Sequence, residues 1–241
     1  MVNLLILLIF HILGDFYLQT SKIAKCKNAY VEESCNTCNK CKKNSFVNNK
    51  FLLLHTFLYI VPFFLLFCTT KWTSALFIIA MLLFSHYAID IVSCYLNKRI
   101  KQCFVFVFDQ ALHIAILLET YFLFEFDSTF FPYQTIIKII FSVLLLAVPS
   151  SVFINKLFCD LFPQANQGKI FEVGSIIGMF ERALAFIFAC FGNFAAIAII
   201  ISIKTWARTN DLKDHEFRNK FLLGTLASLV FSLIAFLIYN L

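Results

Sequence analysis

Three segments of this 241-residue chain set an imidazole and a carboxylate four residues apart: His11 and Asp15 in HILGD, His86 and Asp90 in HYAID, Asp109 and His113 in DQALH. On a helix, residues at i and i+4 stack on one face, so each segment offers both groups together. His55 adds a fourth imidazole. Imidazole nitrogen and carboxylate oxygen are the ligands of zinc, manganese, iron or cobalt centres, and a bound cation would compensate the carboxylates. The plainer alternative is a hydrogen bond internal to each helix, or contacts between helices. Three pairs plus His55 exceed what packing requires.

These residues lie inside apolar runs. Hydrophobic residues make up 61% of the chain and charged residues 14%, with 32 Phe, against roughly 45–50% and 25% in soluble proteins. That excludes an ordinary soluble domain and a disordered chain. The bilayer must be the solvent for most of the sequence. The net charge of +6 forms no nucleic-acid-binding stripe, because the basic residues sit in gaps between apolar runs.

Runs of spanning length fall at about 2–20, 51–69, 74–96, 103–124, 133–158, 172–191, 193–207 and 217–239. They predict an all-α polytopic membrane bundle of seven to eight transmembrane helices, one transmembrane domain over 1–241, with a Cys/Lys-rich loop at 21–50. The run 193–207 is short enough to be a partial span. The first run reads as a retained helix, not a cleavable signal, because it carries His11 and Asp15. Most Lys and Arg occupy alternate gaps, which places the basic loops in the cytoplasm and both termini outside. Asp15, His55, Asp90 and Asp109 then lie one to two turns from the cytoplasmic ends of four successive helices, with His11, His86 and His113 about one turn deeper. An ionisable group at the bilayer centre costs about 2.5–3.5 kcal/mol, so a shared layer of them calls for a function.

A second group lies in the C-terminal half. Glu181 and Arg182 fall in GSIIGMFER, Glu172 begins that run, and Lys204 and Arg208 are four apart. Arg182, Lys204 and Arg208 suit an anion such as a phosphate head group. The structural alternatives are a Glu181–Arg182 pair, with Lys204 and Arg208 reaching anionic lipid. Gly174 and Gly178 have the spacing of close helix packing.

The nine cysteines divide in two. Cys68, Cys94, Cys103, Cys159 and Cys190 read as small apolar fillers. Cys26, Cys35, Cys38 and Cys41 cluster in the loop 21–50, where thiolates suit a structural zinc ahead of an iron–sulfur cluster or free redox-active thiols.

HILGDFYLQT, His55, HYAID, DQALH, GSIIGMFER and the stretch from Lys204 to Arg208 together resemble the bacterial membrane-protein family catalogued as domain of unknown function 3307. The likeness runs from residue 8 to about 235, and the Cys-rich loop stands outside the family's pattern. The resemblance implies a multi-pass protein of the bacterial inner membrane and carries no reaction with it. In architecture alone, the chain is similar to membrane-embedded metal-dependent hydrolases.

The leading expectation is a metal-dependent hydrolase of a phosphoester or other polar lipid bond. Zinc or manganese would be held by some of His11, Asp15, His55, His86, Asp90, Asp109 and His113, with Asp15 or Asp109 as general base and Arg182 and Lys204 stabilising the developing anion. Seven candidates exceed the ligands of one ion, so either two ions bind or some residues stand behind the ligands. The alternatives are a divalent-metal or proton-coupled transporter, and a non-catalytic subunit or sensor whose Cys loop docks a soluble partner. Membrane lipids are the expected surroundings, nucleic acid is not an expected partner, and the sequence sets no oligomeric state.

Overall fold

A computed structural model describes residues 2–27, 50–127, 132–162 and 173–241. Among them every regular element is helical. The first run forms α1 (Val2–Ile12) and continues as a π-helical turn, Leu13–Tyr17. A short helix α2 (Ser21–Lys27) follows within the segment expected to be loop. Thr20 caps it, its hydroxyl accepting from the Ile23 amide at 3.3 Å. Next comes α3 (Lys50–Ile60), which tightens into a 3-10 helix, Val61–Cys68, where Pro62 enters the chain. The remaining helices are α4 (Trp72–Leu96), α5 (Gln102–Leu123), α6 (Gln134–Leu161), α7 (Val173–Cys190), α8 (Phe194–Ala207) and α9 (His215–Asn240).

All eight apolar runs are therefore helical, within a few residues of their expected ends. Five are long and apolar enough to cross a membrane: Lys50–Cys68, Trp72–Leu96, Gln102–Leu123, Gln134–Leu161 and His215–Asn240. Val2–Tyr17 and Phe194–Ala207 are apolar but shorter, and α7 carries Glu181 and Arg182 at its middle. Much of the outward surface is apolar. Phe77, Phe84, Phe104, Phe122 and Phe180 are all exposed, as suits helices solvated by lipid. An extended apolar surface of this kind would be a liability in water.

The chain forms two compact units, residues 1–137 and 138–241. In the first, α1 packs on α5, α5 on α4, α4 on α3 and α3 on α2. One end is strapped by the segment after α5: Thr70 donates to the Glu125 carbonyl at 2.9 Å, and the Asp127 amide to the Thr69 carbonyl at 2.8 Å. The opposite end is where α1 and its π turn finish, α3 begins, α4 finishes and α5 begins. In the second unit α7 packs on α8 and α9, and Leu146, Phe186 and Ala235 form a buried cluster. Gly192, at φ 69°, supplies the left-handed turn from α7 to α8.

Candidate metal centre

The π turn begins at Leu13, and Gly14 within it meets α3 directly. A Cβ at residue 14 would lie 2.5 Å from the Tyr59 carbonyl oxygen and 2.9 Å from its Cα. Only glycine permits that approach, and the approach carries the next residue, Asp15, to His55. The wide π turn, a geometry that recurs at functional sites, is what sets Asp15 there. His86 and Asp90 come from α4, six to ten residues before its end at Leu96. Tyr59 fixes His86 by lying flat on its ring, centroids 3.7 Å apart and planes 4° from parallel.

Four donor atoms from these three segments converge. His55 Nε2 lies 3.1 Å from Asp15 Oδ1, 3.4 Å from Asp90 Oδ2 and 3.1 Å from His86 Nε2. His86 Nε2 is 3.6 Å from Asp90 Oδ2. All four residues are buried, His55 completely. One nitrogen carries at most one hydrogen, so His55 Nε2 cannot serve its three neighbours by hydrogen bonding. A tetrahedral ion with ligands about 2.0–2.1 Å away has donor atoms about 3.3–3.4 Å apart. The four separations that involve the two imidazole nitrogens bracket that value, as a small divalent cation beside His55 and His86 would require.

On α5, Asp109 and His113 border this cluster. Asp109 Oδ2 is 3.8 Å from His113 Nε2, and Ser93 donates to Asp109 Oδ1 at 2.5 Å. Gln110 ties the elements together: its Nε2 donates to Asp15 Oδ2 at 2.8 Å and Asp109 Oδ2 at 3.1 Å, while its Oε1 is 3.2 Å from His11 Nε2. The other His11 nitrogen, Nδ1, faces the Tyr59 hydroxyl at 3.4 Å. His11 thus stands against Gln110 and Tyr59, where it orients groups that face the cluster. The residue types of Tyr59, Ser93 and Gln110 drew no notice in the sequence. A signal existed: Tyr59 follows His55 by four, Ser93 follows Asp90 by three, and Gln110 adjoins Asp109.

Arg182 and Lys204 belong to the second unit, where each has partners of its own. Arg182 Nε donates to the Leu146 carbonyl at 2.7 Å and its Nη2 to Ser151 Oγ at 2.7 Å. Both acceptors flank Pro149, inside α6. Lys204 pairs with Glu181 at 2.5 Å, so Glu181 takes Lys204 as its ion-pair partner in place of the expected Arg182. Arg208 faces Asp211 at 3.8 Å and lies over the Phe217 ring. The glycine spacing is not a packing seam among the described residues: a Cβ on Gly174 would meet nothing, and one on Gly178 only Arg182. Glu172, Cys35, Cys38 and Cys41 lie outside the described residues, and Cys26 falls on α2.

Fold and site together define an all-helical protein of membrane character with a buried His/Asp cluster at one end of its first unit. The chain matches, over residues 3–39 and 34–140, the family described as "Protein of unknown function (DUF3307)", and it belongs to that family. The two matches meet inside the Cys-rich segment. They end close to the boundary of the first unit, so the family's matched region is the part that carries the cluster. GSIIGMFER and the stretch from Lys204 to Arg208, which the resemblance had included, lie beyond it. No curated protein and no solved structure matches the chain.

Proposed function

We propose that this protein is a membrane metalloenzyme, a metal-dependent hydrolase of a phosphoester or other polar lipid bond, with its cation held by Asp15, His55, His86 and Asp90. The convergence of His55 Nε2, His86 Nε2, Asp15 Oδ1 and Asp90 Oδ2 at 3.1–3.6 Å carries the reading. Two carboxylates and two neutral imidazoles suit zinc or manganese and neutralise a divalent charge within an apolar bundle. Gln110, donating to Asp15, supplies the outer hydrogen bond that orients such ligands.

A divalent cation in such a cluster, with a coordination position open to water, would supply a nucleophile near pH 7 without a strongly basic side chain. The site lies near helix ends where Lys50, Lys98, Arg99 and Lys101 cluster in the sequence. Those cations favour an anionic lipid head group as the substrate end. Arg182 and Lys204, engaged within the second unit, receive no part in the reaction.

Element-resolved metal analysis of monodisperse protein, paired with turnover of a phosphoester and lipid panel, tests the reading. Bound zinc or manganese that falls in Asp90→Asn, together with turnover abolished by chelation, is the expected result. An amide is a far poorer ligand than a carboxylate, so metal content unchanged in Asp90→Asn would overturn the metal site. Bound metal without turnover on any substrate, but with uptake of the ion into proteoliposomes, would replace the hydrolase with a carrier.

A further inference from the structure

A first ion that took all four donors would have its coordination closed, and closed four-ligand sites are structural more often than catalytic. A hydrolytic centre needs a position for water. The neighbouring α5 residues supply one.

We infer that the bundle holds a second divalent cation beside the first, bound by His113, Asp109 and a bridging Asp90; this rests on the metal reading above. His113 Nε2 is buried and has no hydrogen-bond partner among the described residues. Its closest carboxylate oxygen among the ion pairs is Asp109 Oδ2, at 3.8 Å. An imidazole nitrogen left so in an apolar interior loses its hydration with nothing in exchange. A cation between it and Asp109 removes that penalty.

Independently, His86, Asp90 and His113 each bring one ligand atom within 4.8 Å of the others, as Asp15, His55 and His86 do. The two groups overlap at His86, whose Nε2 is directed at the first site, 3.1 Å from His55. A nitrogen binds one ion, whereas a carboxylate has an oxygen for each of two. Asp90 is therefore the shared ligand, and the second ion keeps Asp109 and His113 to itself.

The surrounding hydrogen bonds fit two ions. One amide, Gln110 Nε2, donates to both Asp15 Oδ2 and Asp109 Oδ2, a ligand of each site. Ser93 occupies the other Asp109 oxygen at 2.5 Å and turns Oδ2 toward His113. Ions sharing a carboxylate stand about 3.5–4 Å apart, the spacing of two-metal hydrolases. Three protein ligands leave the second ion open for water and for a substrate oxygen. Asp109, the most exposed of the three carboxylates at 13%, is on that open ion.

The purified full-length protein, loaded with Mn2+ alone, tests this by metal counting and electron paramagnetic resonance. Two equivalents and a spin-coupled pair signal are expected. His113→Gln and, separately, Asp109→Asn should retain one equivalent with an uncoupled six-line spectrum. Asp90→Asn should lose the coupling and weaken both sites. One equivalent with an uncoupled spectrum in the unaltered protein would overturn the second site and leave the first standing. No bound manganese or zinc would overturn both. The coupling also separates a neighbouring pair from any ion elsewhere in the chain, because only ions a few ångströms apart show it.

Discussion

A methyl group added at residue 14 would stand 2.5 Å from a backbone oxygen of α3, and backbone cannot swing aside as a side-chain tip can. Gly14→Ala should therefore lower stability by about 1–3 kcal/mol, the usual cost of overpacking, and should lower metal content by pushing Asp15 from His55. Gly174→Ala, facing open space near the start of α7, should be neutral or stabilising by up to about 1 kcal/mol. Thermal melts in one detergent compare the two; equal shifts would remove the close approach as an explanation. Ser93→Ala tests the other flank. It removes a 2.5 Å hydrogen bond to the Asp109 carboxylate, a loss of about 1.5–3 kcal/mol for a bond to a charged group. At this scale the sequence was readable wherever chemistry followed helical spacing. His86 with Asp90 and Asp109 with His113 meet as the i,i+4 rule requires. Gln110 was not readable, because its three partners come from α1, its π turn and its own neighbour, and no local spacing encodes that meeting.

Helix by helix, the apolar runs could be read because a lipid-solvated helix needs little beyond length and apolarity. Departures from regular α-geometry were hidden. The π turn at Leu13–Tyr17 depends on the approach of α3, and the 3-10 segment Val61–Cys68 on Pro62. The role of Pro149 is the clearest case. Proline within α6 has no N–H for the carbonyl four residues back, that of Leu145, and the next two carbonyls take side-chain donors. The Leu146 carbonyl accepts from Arg182 Nε and from Ser150 Oγ at 2.6 Å, and the Ala147 carbonyl from Ser151 Oγ at 2.7 Å. Arg182 thus adds donors to α6 beside its proline, a role that its place in GSIIGMFER did not announce. Arg182→Met retains much of the side chain's apolar volume and removes its bonds to the Leu146 carbonyl and the Ser151 hydroxyl, at about 1–3 kcal/mol. In a Pro149→Ala background the same change should cost less, with a coupling of at least about 0.5 kcal/mol. An additive cycle in denaturant unfolding would separate Arg182 from the proline.

For the whole molecule, the boundary between the two units decides what metal can stabilise. Every residue assigned to the metal centre lies within 1–137, while α6, α7 and α9 share a buried cluster of Leu146, Phe186 and Ala235 in the second unit. That boundary also nearly coincides with the end of the family match at residue 140. Uniform hydrophobicity concealed the division, because apolar helices that pack with each other and apolar helices that face lipid have the same composition. A cation that binds only the folded state adds about 4 kcal/mol of stability at a thousand times its dissociation constant, and that increment belongs to the unit holding the ligands. Chelation should accordingly accelerate amide hydrogen exchange in 2–17, 50–68, 72–96 and 102–123 and leave 173–241 nearly unchanged. The effect should peak around Asp15, His55 and Asp90, where ligand and backbone are most directly tied. Exchange mass spectrometry in nanodiscs, with and without chelator, reads both units in one experiment. Acceleration spread equally over both units would mean that they unfold as one, and the metal's contribution could not be assigned to the first. Protection unchanged everywhere would mean that His55 and His86 hold their carboxylates without a cation, at a cost that the surrounding hydrogen bonds from Gln110 and Ser93 would have to meet.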